Sequence, residues 1–245
     1  MKAVLFGASR GMGRALGRLL AARGERLFLV EHVAEQLERS ARDFEIRGAP
    51  APVQTAFCDL LKPETFGPAL DEAARALDGF DTVVVTAGLY ATQDELESDP
   101  QLTARLLTAD FTNTVLFCEE ARKRLLARGG GTLCTFSSVA GDRGRKPVIL
   151  YGAAKGGLAR YLEGLDHKFR ARGLKTVCVK PGFVKTGMTL GLKPPPFAGT
   201  PEEVARRVLR AIDRGWPEVY APAPWRGVMC IIRNLPRMVM RKVNF

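Results

Sequence analysis

Hydrophobic positions along the chain fall into two alternating kinds of segment. Short apolar runs at Ala3–Phe6, Leu27–Val30, Val53–Phe57, Thr82–Thr86, Thr132–Phe136, Thr176–Lys180 and Glu218–Tyr220 predict seven strands. The first six suit strands buried on both faces of a sheet. Between them, helical patterns occupy Met12–Arg23, Ala34–Arg47, Pro63–Leu77, Gln101–Arg128, Leu150–Arg172 and Pro201–Arg214. Strand and helix in alternation predict an α/β fold, a doubly wound parallel sheet of seven strands covered on both sides. Residues 1–224 make up that single domain. Residues 225–245 read as a basic, amphipathic tail with no place in the sheet.

Composition narrows the picture. With 245 residues, 46% of them hydrophobic and 26% charged, the chain can bury a full core, and intrinsic disorder is excluded. No apolar run reaches the roughly 18 residues that a transmembrane helix needs. The start, MKAVLFGASRG, turns glycine-rich too soon for a signal peptide, so the expectation is a cytoplasmic protein beginning at Met1. Five single cysteines without a CxxC pair, and two histidines, His32 and His167, give no workable metal-ligand spacing, so no metal is expected. The net charge of +11 suits nucleic acid, an anionic membrane or phosphorylated small molecules. The basic residues are dispersed, without a zinc finger or an aromatic-and-basic stripe, so no nucleic-acid partner is expected.

The first strand runs into Gly7-Ala8-Ser9-Arg10-Gly11-Met12-Gly13 and then into a helix. Glycines there allow a tight turn and let backbone N–H groups approach a pyrophosphate, which the helix N-terminus also favours. A glycine-rich turn alone is weak evidence, but its place between strand and helix is what dinucleotide binding requires. Further along stand Cys58-Asp59-Leu60, Thr86-Ala87-Gly88, Ser137-Ser138, Tyr151-Gly152-Ala153-Ala154-Lys155 and Pro181-Gly182. With these motifs in this order, the sequence resembles the short-chain dehydrogenase/reductases over nearly its whole length. The resemblance implies a Rossmann-like oxidoreductase that uses NAD(P). It places Asp59 and Leu60 by the adenine and Ala87-Gly88 by the ribose. Pro181, Gly182, Val184 and Thr186 would bracket the nicotinamide amide.

Tyr151 and Lys155 lie four apart on a predicted helix, on one face and about 6 Å from each other. A tyrosine with a solution pKa of about 10 is a poor acid or base, and a neighbouring ammonium lowers it. Ser138 offers a hydroxyl to a carbonyl oxygen on which charge develops. By the resemblance, Tyr151 exchanges a proton with the substrate oxygen, Lys155 holds the nicotinamide ribose, and Ser138 polarises the carbonyl. Ser137 is assigned to the strand. Asp110 falls where the family usually carries an asparagine that helps relay protons, and its charge would hold Lys155 protonated more firmly. Asn113 falls where a small residue is commoner. Val85-Thr86-Ala87-Gly88 lacks the family's paired asparagines.

Glu31 closes the second strand, where a carboxylate hydrogen-bonds the ribose 2′-OH of NAD and repels the 2′-phosphate of NADP. Arg10 in the glycine loop and His32 pull toward NADP; NAD is favoured. The expected reaction is hydride transfer between nicotinamide and a carbonyl or secondary alcohol. The stretch from Val179 to Phe245, with PGFVKTGMTLGL and IIRNLPRMVMRKV, resembles the decaprenylphosphoryl-2-keto-ribose reductases, which implies a lipid-linked keto sugar. The alternatives are a 3-oxoacyl or other lipid-ketone reductase and, outside catalysis, a dinucleotide-binding sensor. Apolar residues on more than one face of Gln101–Arg128 and Leu150–Arg172, among them Leu106, Leu107, Val115, Leu116, Leu158, Tyr161, Leu162 and Leu165, predict a homo-dimer or homo-tetramer. The tail interleaves Trp225, Val228, Met229, Ile231, Ile232, Met238 and Phe245 with Arg226, Arg233, Arg237, Arg241 and Lys242. Such a segment suits a substrate lid that touches a membrane surface, with Pro236 breaking it into two short helices.

Overall fold

In the computed structural model, which describes residues 1–189, 191 and 193–243, all seven predicted strands are present. Leu190 and Leu192 of the stretch after Pro181, and Asn244 and Phe245 of the tail, lie outside the described residues. The strands are β1 (Lys2–Phe6), β2 (Arg26–Glu31), β3 (Gln54–Phe57), β4 (Thr82–Val85), β5 (Gly131–Phe136), β6 (Leu174–Pro181) and β7 (Glu218–Ala221). They pair in parallel in the order β3-β2-β1-β4-β5-β6-β7. The chain winds outward from β1 to β3, then restarts on the other side at β4. The strand ends beside β1 and β4 are therefore the switch point where open α/β sheets bind ligands.

Each strand residue feeds one of two cores, as the pleat requires. Ala3 and Leu5 of β1 join one cluster with Leu16 and Leu20 of α1 (Gly11–Ala22), Phe44 of α2 (Ala34–Ile46) and Val208 of α8 (Pro201–Arg214). Val4 and Phe6 join the other, with Phe66 of α3 (Phe66–Leu77), Phe117 of α6 (Thr114–Ala127) and Leu158 of α7 (Ile149–Phe169). Phe117 stacks against Phe6 at 4.9 Å and edge-on to Phe66 at 5.4 Å between ring centroids. Cys58, Cys118, Cys134 and Cys178 are buried filler; burial pushes the thiols of Cys58, Cys118 and Cys178 up to about 12. Cys230 departs from that pattern and is exposed.

Three local features differ from the sequence expectation. The helix expected over Gln101–Arg128 begins a residue earlier and is interrupted. It divides into α5 (Pro100–Leu107), a π-helical turn at Thr108–Asn113, and α6. Asp99 caps α5 by accepting from the N–H of Gln101 and Leu102, and Pro100 sits at its first position. A short helix, α4 (Gln93–Ser98), was not expected; Thr92 and Glu95 form a capping box at its start. Finally, Leu106, Leu158, Leu162 and Leu165 are buried within the subunit, so half of the apolar surplus read as an interface signal belongs to the core. Phe111 and Leu116 are the large apolar side chains left exposed along the π turn and α6.

The tail forms α9 (Trp225–Asn234) and α10 (Arg237–Met240), separated at Leu235-Pro236 because proline cannot continue the hydrogen-bond ladder. Trp225, Met229 and Ile232 of α9 are buried with Val139 and Tyr220. No helix among the described residues is long and apolar enough to cross a membrane.

One contact positions the site. After β5, Ser137 and Ser138 lead into a 3₁₀ turn, Val139–Asp142, that lies directly on α7. A Cβ added at Gly141 would stand 2.5 Å from the Gly156 nitrogen, and one at Gly152 would stand 2.7 Å from the Ala140 oxygen. Turn and helix therefore touch backbone to backbone. Gly141→Ala must push them apart and should cost about 1–3 kcal/mol, as overpacking does. The measurement is urea unfolding: the midpoint should fall with the slope unchanged. A wild-type midpoint would mean that the turn yields without cost.

Candidate active site

A cavity of about 790 Å³ opens at the switch point. Its floor is the glycine loop. Gly7 takes φ +90°, and a Cβ there would lie 2.5 Å from the Ala87 nitrogen. A Cβ at Gly13 would lie 2.3 Å from the Gly7 oxygen. Thr86 clamps the loop by donating its hydroxyl to the carbonyls of Gly7 (2.8 Å) and Phe6 (3.1 Å). Gly7, Ser9, Arg10, Gly11, Met12 and Gly13 all line the cavity, with the N-terminal turn of α1 behind them. A backbone cradle at a helix N-terminus, too tight for side chains, fits a dinucleotide pyrophosphate.

One end of the cavity carries Glu31 from the end of β2 and His32 just after it, with Asp59 and Leu60 from the turn after β3. The Glu31 side chain is only 9% exposed and fully engaged. Oε2 accepts from the Ser9 hydroxyl at 2.8 Å; Oε1 lies 3.2 Å from the His32 N–H and 2.8 Å from His32 Nδ1. Asp59 Oδ1 accepts from the Leu61 N–H, and buried Asn113 donates to the Leu60 carbonyl at 2.6 Å. The larger residue at position 113 thus pins the turn at this end of the cavity.

Toward the other end, Thr86, Ala87, Gly88 and Tyr90 line the wall. Gly88 leaves the catalytic charges close behind that wall. A Cβ there would meet Asp110 Oδ1 at 3.2 Å and Lys155 Nζ at 3.3 Å. Lys155 Nζ lies 3.0 Å from Asp110 Oδ2 and donates to the Phe136 carbonyl at 3.4 Å. Asp110 Oδ1 accepts from the Leu89 N–H at 2.6 Å. The π turn is the part of the chain that delivers Asp110, fully buried, to this point. Ser137 has a definite job: its hydroxyl donates to the Lys155 carbonyl at 2.7 Å and ties the end of β5 to α7.

Lys155 lowers the pKa of Tyr151 as expected, yet the phenol still stands above its ordinary value. Burial pushes it up and the Asp110 charge adds to that; the Lys155 charge and a hydrogen bond with Ser138 pull down without winning. Burial also works to lower Lys155, but the charges of Asp110 and Tyr151 overcome it and hold the ammonium protonated. The Tyr151 ring has two further neighbours: Lys155 Nζ lies 5.7 Å from its centroid, and Tyr90 meets it edge-on at 5.4 Å.

Two supports escaped sequence reasoning. Gln93 Oε1 accepts from the N–H groups of Ile149 and Leu150, capping α7 just before Tyr151. Its legible trace was the Thr92-x-x-Glu95 capping box around it. Lys180, buried before Pro181-Gly182, pairs with Asp142 at 2.8 Å and with Glu218, and the Tyr220 hydroxyl donates to Asp142. This holds the turn after Ser138 against β6 and β7. Thr186 lines the cavity beside Gly11, whereas Pro181, Gly182 and buried Val184 do not line it. Gly182 is covered by the tail: a Cβ there would stand 2.2 Å from Trp225 Nε1.

The short chain dehydrogenase family profile matches residues 1–195. The chain belongs to that family. An uncharacterized oxidoreductase of Mycobacterium tuberculosis is 32% identical over 240 residues, covering 98% of this chain and 96% of that protein. Carbonyl reductase family member 4 of Xenopus tropicalis is 29% identical over 221 residues, covering 85% and 89%. A solved short chain dehydrogenase/reductase family protein superposes with a TM-score of 0.77 at 25% identity, covering 89% of this chain and 94% of that one. A nicotinamide dinucleotide is this family's cofactor, and when bound it supplies or takes up the hydride. In this short-chain dehydrogenase the glycine loop would hold its pyrophosphate, and Tyr151 would exchange the accompanying proton. Tyr151→Phe should therefore keep the fold and dinucleotide binding while turnover falls 10²–10⁴-fold. Near wild-type turnover in that variant would remove Tyr151 from the chemistry.

Proposed function

We propose that this oxidoreductase uses NADH to reduce a ketone carried on a lipid, working at an anionic membrane surface. The observation that carries the reading is the seat of α9. Its buried face covers Gly182 and the turn after Ser138, while its other face, with α10, is open. That open face holds Ile231 (67% exposed), Met238 (75%) and Val239, with exposed Phe197 alongside; the Phe197 carbonyl accepts from Trp225 Nε1. Arg226, Arg233, Arg237, Arg241 and Lys242 surround them, with no acidic residue after Glu218. Apolar tips among cations suit the headgroup plane, and each cation near an anionic surface contributes about 1 kcal/mol. Pairing this face with a second copy of itself would set like charges together. A lipid-borne ketone would then be offered beside the reacting end of the site. The resemblance of residues 179–245 to decaprenylphosphoryl-2-keto-ribose reductases favours a lipid-linked keto sugar, and the carbonyl reductase relative favours a carbonyl substrate.

The tail cannot simply be removed to test this, because a chain ending at Pro224 loses Trp225, Met229 and Ile232 from a core. Ile231→Glu with Met238→Glu alters only the open face. Wild type should pellet with anionic vesicles at low salt and the double variant should not, while both reduce a water-soluble ketone equally. Equal, negligible pelleting of both contradicts the membrane reading.

The NADH preference rests on Glu31. A 2′-phosphate at this end of the cavity would approach a buried carboxylate already held by Ser9 and His32. Wild type should bind NADH at least roughly tenfold more tightly than NADPH, about 1.4 kcal/mol, and Glu31→Ala should narrow the gap. Tighter NADPH binding by wild type would hand the pocket to Arg10 and His32.

A further inference from the structure

The charges buried behind Gly88 bear on the pH at which Tyr151 can act as a base. We infer that Asp110 acts as a positioning residue which, through its buried ion pair with Lys155, keeps the proton on Tyr151 and confines alcohol oxidation to high pH. The inference rests on the reductase reading of the site and adds to it the pH at which the reverse reaction begins.

The charges enclosed here nearly cancel. With a neutral residue at position 110, a protonated Tyr151 beside the Lys155 ammonium leaves the cluster at +1, and losing the phenol proton neutralises it. Here the Asp110 carboxylate lies 3.0 Å from that ammonium and is fully buried, so the cluster is already neutral with Tyr151 protonated. Deprotonating Tyr151 would leave a net negative charge out of water, which is costly. Among the described residues, no other group facing the cluster supplies the missing positive charge. Tyr90 approaches Tyr151 from the wall of the cavity, Ser138 from the turn after β5, and Cys178 faces Lys155 from β6. The Phe136 carbonyl adds a further acceptor beside Nζ. None is a cation. The raised pKa of the phenol follows the same sign.

The pH dependence differs between the two directions. In reduction, hydride reaches the carbonyl carbon, the Tyr151 proton goes to the carbonyl oxygen, and the tyrosinate left behind takes a proton back from solvent. That step starts from the protonated phenol, which is present across the neutral range, so its rate does not wait for an ionisation. In oxidation the phenolate must form first, so that it can accept the alcohol proton as hydride leaves the carbon. Asp110 opposes that ionisation.

Asp110→Asn is the decisive variant, because an amide oxygen still accepts from the Leu89 N–H while the charge is gone. Rates of alcohol oxidation and ketone reduction should be measured against pH for wild type and variant. Wild-type oxidation should rise only above about pH 10, the ordinary tyrosine value. The variant's rise should come about one to two units lower, the usual effect of one nearby charge. A rise at the same or higher pH in the variant overturns the inference. Ultraviolet titration of tyrosinate, wild type minus Tyr151→Phe and without cofactor, reads the same group with no turnover. Should the variant fail to fold, that titration decides alone: ionisation of Tyr151 below about 10 overturns the inference, and ionisation above it supports it. A protein that titrates as expected yet reduces no ketone supports the charge assignment and sinks the reductase reading instead.

Discussion

The catalytic geometry depends on backbone lying on backbone. The turn after β5 rests on α7 where Gly141, Gly152 and Gly156 leave no room for side chains. That contact sets Ser138 across from Tyr151, and the Ser137 hydroxyl locks it by bonding the Lys155 carbonyl. Gln93 caps the start of the same helix, and Lys180 with Asp142 braces the far end of the turn. Each is a polar bond worth about 1 kcal/mol or somewhat more. Together they over-determine the position of three side chains that a single loop could not hold to within hydrogen-bond tolerance.

Burial then decides the chemistry. The buried charges of the site have partners, as a low-dielectric interior requires. Glu31 is satisfied by Ser9 and His32 at one end of the cavity, and Lys155 by Asp110 at the other. Between them lies the glycine loop, largely backbone, with Ser9 and Arg10 as its polar side chains. The same economy explains why Gly88 matters: without a Cβ, the wall is thin enough for the cavity to run close to the ion pair. The tail adds a second layer, since Trp225 roofs Gly182 while the outer face of its helix is left to solvent.

Most of the architecture was legible because the strands are buried on both faces and read as unbroken apolar runs, with motif residues at their C-terminal ends. All seven strands come from that pattern, while the grouping of Ser138, Tyr151 and Lys155 follows from the order of motifs that the resemblance to short-chain dehydrogenase/reductases supplies. What escaped was local or long-range. Helix α4 is too short to show a period, and the π turn hides inside a helical pattern that continues across it. The sequence shows Lys155 one turn from Tyr151, but neither how deeply the phenol is buried nor that Asp110 reaches the same ammonium, and these two outweigh the downward pull of Lys155. The apolar residues of the helices and tail looked alike in sequence. Only packing separates buried Leu158 and Met229 from exposed Leu116 and Ile231.

The central claim is that these contacts assemble a working hydride-transfer site rather than a dinucleotide-binding sensor that keeps the fold. The direct measurement is isotopic: wild-type protein is given reduced NAD carrying deuterium at the transferable position, together with ketones both free and in vesicles. Mass spectrometry should find one deuterium on the carbinol carbon of a product alcohol, with an equal amount of cofactor oxidised. Tight cofactor binding with no label in any alcohol would contradict the account.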